Sequence, residues 1–96
     1  MKSRKEVEKI IKKKKSFLKK KFSVEEIGIF GSYAREEQSK DSDIDVLVTF
    51  SDDIGWEFVD LKEYLEELLG LKVDLVTIKA LKPKLKDSIL SEVVYA

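Results

Sequence analysis

The chain contains no cysteine and no histidine. The first absence excludes a disulfide framework, a zinc-thiolate site and a cysteine nucleophile. The second removes imidazole metal ligands, histidine general bases and every Ser-His-Asp arrangement within the chain. Any chemistry must therefore run on carboxylates, hydroxyls, lysine or arginine. There is one proline, Gln38 is the single glutamine, and asparagine is missing, while lysine and glutamate abound. That balance resembles proteins adapted to high temperature, where ion-pair networks gain value and labile amides are avoided. No apolar run approaches the ~20 residues that span a bilayer, and the N-terminus is lysine-rich without the apolar core of a signal peptide. A soluble, cytoplasmic protein without membrane contact is expected.

The 96 residues present leave room for one domain, 1–96, and for no second. Hydrophobic residues make up 43%, enough for a packed core. Charged residues reach 40%, against about 25% in an average soluble domain. The net charge of zero conceals a division. Residues 1–22 hold eleven Lys or Arg and two Glu, a net of +9, and residues 23–96 carry the compensating −9. Such asymmetry can mark a surface for nucleic acid or another anionic partner, but a solvated helical face is the commoner explanation. Aromatics near the basic stretch are limited to Phe17 and Phe22, which fall on its apolar side, so nucleic acid is not expected as a partner.

Ser3-Arg4-Lys5-Glu6 has the form of a capping box, and Val7, Ile10, Ile11, Phe17, Leu18 and Phe22 follow along one helical face. Glu26–Phe30 reads as a short strand stopped by Gly31-Ser32, and Tyr33–Glu37 as a short helix. Ile44–Phe50 is a β-branched, apolar strand. Trp56–Leu69 has helical spacing and ends at Gly70, where a C-cap belongs. Lys72–Ile78 is a third strand, Lys84–Ser91 a last helix, and Glu92–Tyr95 a final short strand. Helices alternating with strands in this order define a small α/β domain.

Three aspartates interrupt the strands: Asp43 and Asp45 around Ile44, and Asp74 between Val73 and Leu75. Aspartate is depleted in strands, so this placement asks for a reason. Asp43 and Asp45 are two apart and therefore point to one face. If Asp74 lies on a neighbouring strand and points the same way, three carboxylates converge. Like charges ~4 Å apart cost on the order of 4 kcal/mol at an effective dielectric near 20, and a cation is the natural counterweight. Oxygen-only ligands select a hard ion such as Mg²⁺. Twelve residues before Asp43, Gly31-Ser32 ends one strand where a helix begins. Glycine allows close backbone approach, free N–H groups favour an anion, Ser32 adds a hydroxyl and Arg35 a guanidinium. Separately, Gly-Ser is most often an ordinary turn, and Arg35 a surface ion-pair partner of Glu36 or Asp41. A phosphate cradle beside a carboxylate cluster describes nucleotide chemistry.

The stretch Gly31-Ser32-Tyr33-Ala34-Arg35, followed after a spacer by Asp41-Ser42-Asp43-Ile44-Asp45-Val46-Leu47-Val48, resembles the signature of polymerase-beta-type nucleotidyltransferases. It is most similar to the minimal nucleotidyltransferases that pair with HEPN-domain proteins in toxin–antitoxin modules. The likeness continues through Leu65–Thr77 and Ala80–Leu85 and so covers nearly the whole chain. Many relatives have glycine after the arginine, where this chain has Glu36. The resemblance implies a small mixed β-sheet flanked by helices in the polymerase-beta-like fold. It implies that Asp43, Asp45 and Asp74 are catalytic and hold Mg²⁺, at a two-metal site, and that Gly31, Ser32, Arg35 and Ser42 bind the nucleotide. It also implies ATP as the donor, and as acceptor a tyrosine hydroxyl of a partner HEPN toxin, which AMP transfer would neutralise in a hetero-oligomer. An alternative stays open: a non-catalytic antitoxin that neutralises its partner by masking it.

Overall fold

The computed structural model describes residues 2–96, so Met1 of the expected domain lies outside the described residues. The capping box forms: Ser3 Oγ accepts from the Glu6 N–H, and the Glu6 carboxylate accepts in return from the Ser3 N–H. Helix α1 (Arg4–Lys13) follows, and α2 (Lys15–Phe22) continues after a break at Lys14. The single helix expected from Ser3 to Phe22 is thus two. Between Ile11 and Phe17 no apolar side chain anchors the chain, and four consecutive lysines repel one another there. The Lys14 N–H instead reaches the Ile11 and Lys12 carbonyls in a tighter turn. Val7, Ile11, Leu18 and Phe22 are buried, while Phe17 is 44% exposed and lies in an aromatic group with Phe22 and Tyr64.

Strand β1 (Val24–Phe30) begins two residues earlier than expected, across an irregularity where the Glu26 N–H donates to Thr49 Oγ1. A single turn, α3 (Gly31–Ala34), starts directly at the strand end and is shorter than the expected Tyr33–Glu37 helix. Glu36 stops it, because its φ of 58° lies outside the helical region. Strand β2 (Ile44–Phe50) has the expected bounds. Helix α4 (Glu57–Leu69) closes on Gly70, which adopts the left-handed C-cap conformation. Strand β3 (Val73–Thr77), a 3₁₀ turn over Ile78–Ala80, helix α5 (Pro83–Glu92) and strand β4 (Val94–Tyr95) complete the described elements. Pro83 opens α5 at the first helical position, where its missing N–H costs nothing.

The sheet runs β3-β2-β1-β4, with β2 and β3 parallel and the other two pairs antiparallel. It is the small mixed sheet with helices that the resemblance implied. Ile27, Ile29, Ile44, Val46, Val48, Val73 and Leu75 join the buried cluster with Val7, Ile11 and Leu18 from α1 and α2 and Leu61, Leu65 and Leu69 from α4. Residues that alternate with these, including Phe30, Asp45 and Asp74, point to the opposite face of the sheet. The loop after α3 is braced by α1: Arg4 Nη1 donates to the Ala34 carbonyl and Gln38 Nε2 to the Lys2 carbonyl. No helix of the described residues is long and apolar enough to cross a membrane.

Candidate active site

The register of the parallel pair places Asp45 directly beside Asp74. Partners in register share a face, so Asp74 points away from the buried Val73 and Leu75 and toward the Asp45 carboxyl. Asp43, two residues before Asp45, lies at the mouth of β2, exposed. Burial, the charge of Asp74, hydrogen bonding with it and the charge of Asp43 push the Asp45 carboxyl up to about 6, and Arg35 pulls weakly the other way. The charges of Asp74 and Asp43 thus both bear on Asp45. Among the described residues no three acidic side chains are drawn together tightly enough to ligate one ion at once. The close pair is Asp45 with Asp74, and it suits Mg²⁺, which keeps several waters and typically takes one or two carboxylates. All the donors are oxygens, and the uncompensated negative charge on Asp45 is what a hard cation would balance.

The turn beside the pair is built on a glycine whose replacement would force the Asp45 side chain to move. Gly31 has a φ of 74°, and a β-carbon on it would run into the Asp45 carboxylate. The antiparallel register pairs Phe30 with Asp45, which sets the end of β1 against the start of β2 and brings Gly31 to the carboxyls. Ser32 is half-buried in α3, and its carbonyl accepts from the Glu37 N–H at 2.8 Å. Arg35 is exposed and caps α3. Its partners are not Glu36 or Asp41: Nε donates to Glu37 Oε2 at 3.2 Å and Nη1 to Glu92 Oε2 at 3.1 Å. The other oxygen of Glu92 accepts the Gly31 N–H at 2.9 Å. Ser42 stands apart from this group. Its Oγ accepts from the Ser39 N–H at 2.9 Å and lies 3.3 Å from Ser39 Oγ, so it closes the loop leading into β2.

Sequence reasoning did not single out Glu92 or Glu37. Glu37 lies two residues from Arg35 and was within reach of a local argument; Glu92 is 61 residues from Gly31, and it ends α5 rather than opening the expected Glu92–Tyr95 strand, which is confined to Val94–Tyr95. A cleft of about 850 Å³, lined by Phe50, Asp52, Ile54, Phe58, Thr77 and Ile78 among others, opens at the far ends of β2 and β3 and contains none of the residues nominated for chemistry. Within the carboxyl pair Asp74 is exposed and Asp45 partly buried, on the sheet face that also carries the buried Phe30 and Leu47.

The nucleotidyltransferase domain family matches residues 11–96. The chain is 48% identical over 91 residues to the protein adenylyltransferase MntA of Thermococcus cleftensis, covering 94% of this chain and 92% of that protein. Among solved structures, a candidate minimal nucleotidyltransferase superposes with a TM-score of 0.76 at 33% identity, over 92% of this chain and 93% of that one. A toxin–antitoxin structure solved with AMP-PNP superposes with a TM-score of 0.74 at 27% identity, over 92% of this chain and 70% of that one. The chain belongs to the nucleotidyltransferase domain family and has the minimal nucleotidyltransferase fold.

Proposed function

We propose that this protein transfers AMP from ATP to a tyrosine hydroxyl of a partner HEPN-domain toxin and thereby acts as its antitoxin. The reading rests above all on one observation: the crowded Asp45–Asp74 pair stands directly against the Gly31 turn that carries Arg35. The relative named as a protein adenylyltransferase and the toxin–antitoxin structure solved with AMP-PNP support the donor and the kind of partner. In this reading residues 1–96 act as one catalytic domain. Arg35, Ser32 and the Gly31 turn bind the β- and γ-phosphates, and Ser42 keeps the loop before β2 in shape. The acceptor oxygen bonds to the α-phosphorus, the bond from that phosphorus to the β-phosphate oxygen breaks, and pyrophosphate leaves. Asp74 takes the hydroxyl proton. Asp43, Asp45 and Asp74 would hold Mg²⁺, which when bound supplies charge stabilisation at the attacking and leaving oxygens.

Asp74 is exposed and Asp45 partly so, and in this reading the second wall of the reaction site and the attacking hydroxyl both come from the partner. A phosphodiester added at the toxin's active site would block RNA phosphates by bulk and like charge. Mixing the chain with candidate HEPN-domain partners, ATP and Mg²⁺, and weighing each partner intact, tests this directly. The toxin mass is expected to rise in adenylate steps as its toxicity falls. An unchanged mass with toxicity still neutralised would replace transfer by masking.

A further inference from the structure

Beyond the carboxyl pair, the C-terminal segment folds back along the sheet. Strand β4 pairs with β1 at Gly28 and Ile29, and the Ala96 N–H donates to the Ile27 carbonyl at 2.9 Å. Gly28 makes this possible, since a β-carbon there would stand 2.7 Å from Val93 Cγ2 and 3.1 Å from the Val94 carbonyl oxygen. Helix α5 has no buried residue of its own. Among the described residues, Glu92 is the one α5 side chain hydrogen-bonded outside its helix, and it uses both oxygens. One meets the Gly31 N–H and the other the Arg35 guanidinium, while Glu37 takes Arg35 Nε. The guanidinium is thereby clamped along one side, its remaining donors are unused within the chain, and it is near enough to Asp45 to act on its charge.

We propose that Glu92 is a positioning residue for nucleotide binding: it holds the Gly31 turn and the Arg35 guanidinium in the orientation that receives the triphosphate. This rests on the nucleotide reading above and extends it to a residue on the last helix. An exposed arginine left free gives up much rotamer freedom when it grips a phosphate, whereas a clamped one has given it up already. Fixing the fork also matters because guanidinium recognition of phosphate depends on planar alignment. A carboxylate is suited to the task because it accepts from a cation and a backbone N–H together.

The test measures Mg·ATP binding to the full chain by calorimetry and the KM for ATP in AMP transfer to the toxin. Loss of charge-assisted hydrogen bonds predicts that Glu92→Ala weakens binding about tenfold and raises KM by a similar factor, with kcat changed less than about twofold. Glu92→Gln, whose amide oxygen still accepts from Gly31, loses only about threefold and serves where the alanine variant folds poorly. In an Arg35→Ala background, replacing Glu92 costs clearly less binding than in the wild type, since only the Gly31 turn is left for it to hold. Unchanged or tighter binding in both Glu92 variants overturns the inference, and so does an undiminished loss in the Arg35→Ala background. A wild-type chain that binds no Mg·ATP overturns the nucleotide reading itself, and this inference with it.

Discussion

Gly31 lies so close to Asp45 that no side chain at residue 31 is compatible with the present position of the Asp45 carboxylate. The glycine turn and the Asp45 carboxylate are thus in direct contact. Gly31→Ala introduces two conflicts at once, a β-carbon against Asp45 and a left-handed φ that costs a non-glycine residue roughly 1–2 kcal/mol. Thermal unfolding is expected to drop accordingly, and AMP transfer to fall by at least ~100-fold as the carboxylate is displaced. An alanine variant with wild-type activity would show the contact to be dispensable.

Asp45→Asn separates stability from function. The carboxyl is disfavoured by burial and by Asp74 and Asp43, so neutralising it relieves the fold. Near pH 7.5 the gain is about 1 kcal/mol, well below what a dry site would give, because the group remains about half open to water. Transfer is expected to fall below detection. Denaturant unfolding and the toxin mass assay read the two effects on one preparation.

The same carboxyl sets a pH window. It holds its proton up to about pH 6 in the folded chain, against 3.8 ordinarily, so folding takes up a proton between those values. The metal-free chain therefore loses stability as pH rises through about 4 to 6 and levels off above. Mg²⁺ affinity, which needs the ionised form, runs oppositely and falls as pH drops below about 6. Unfolding and Mg²⁺ titrations from pH 4.5 to 8 check both slopes, and Asp45→Asn should flatten this residue's contribution to each.

Glu36 holds a left-handed φ of 58°, a conformation glycine adopts freely. The left-handed turn is kept without the residue that suits it best. Releasing it is worth roughly 1–2 kcal/mol, while glycine adds about 0.5–1 kcal/mol of unfolded-chain entropy. Glu36→Gly is expected to stabilise the chain by about 0.5 kcal/mol, seen as a small rise in unfolding midpoint with AMP transfer preserved.

The carboxylates and the Gly-Ser turn were legible because their signals are local: Asp43 and Asp45 share a face by strand alternation, and glycine at a strand end announces close approach. Asp74 needed only the assumption that β3 neighbours β2. The break at Lys14 was hidden because the apolar spacing from Ile11 to Leu18 is compatible with one continuous helix. Arg35 was readable as a cation but not in its pairing, since Glu92 reaches it only after α5 and β4 fold back along β1. Contacts made by chain return leave no periodic trace.

Residues 2–22 carry ten of the seventeen lysines and pack, through α1 and α2, against the sheet face opposite Asp45 and Asp74, in a molecule 18 Å in its shortest extent. The basic segment and the carboxyl pair are thereby set on opposite faces of one sheet. At physiological salt, fields decay over about 8 Å, so an approaching partner feels chiefly the side it faces. A partner presenting a basic surface would be turned toward the aspartate face before any contact forms, and the lysine-rich segment would deflect it.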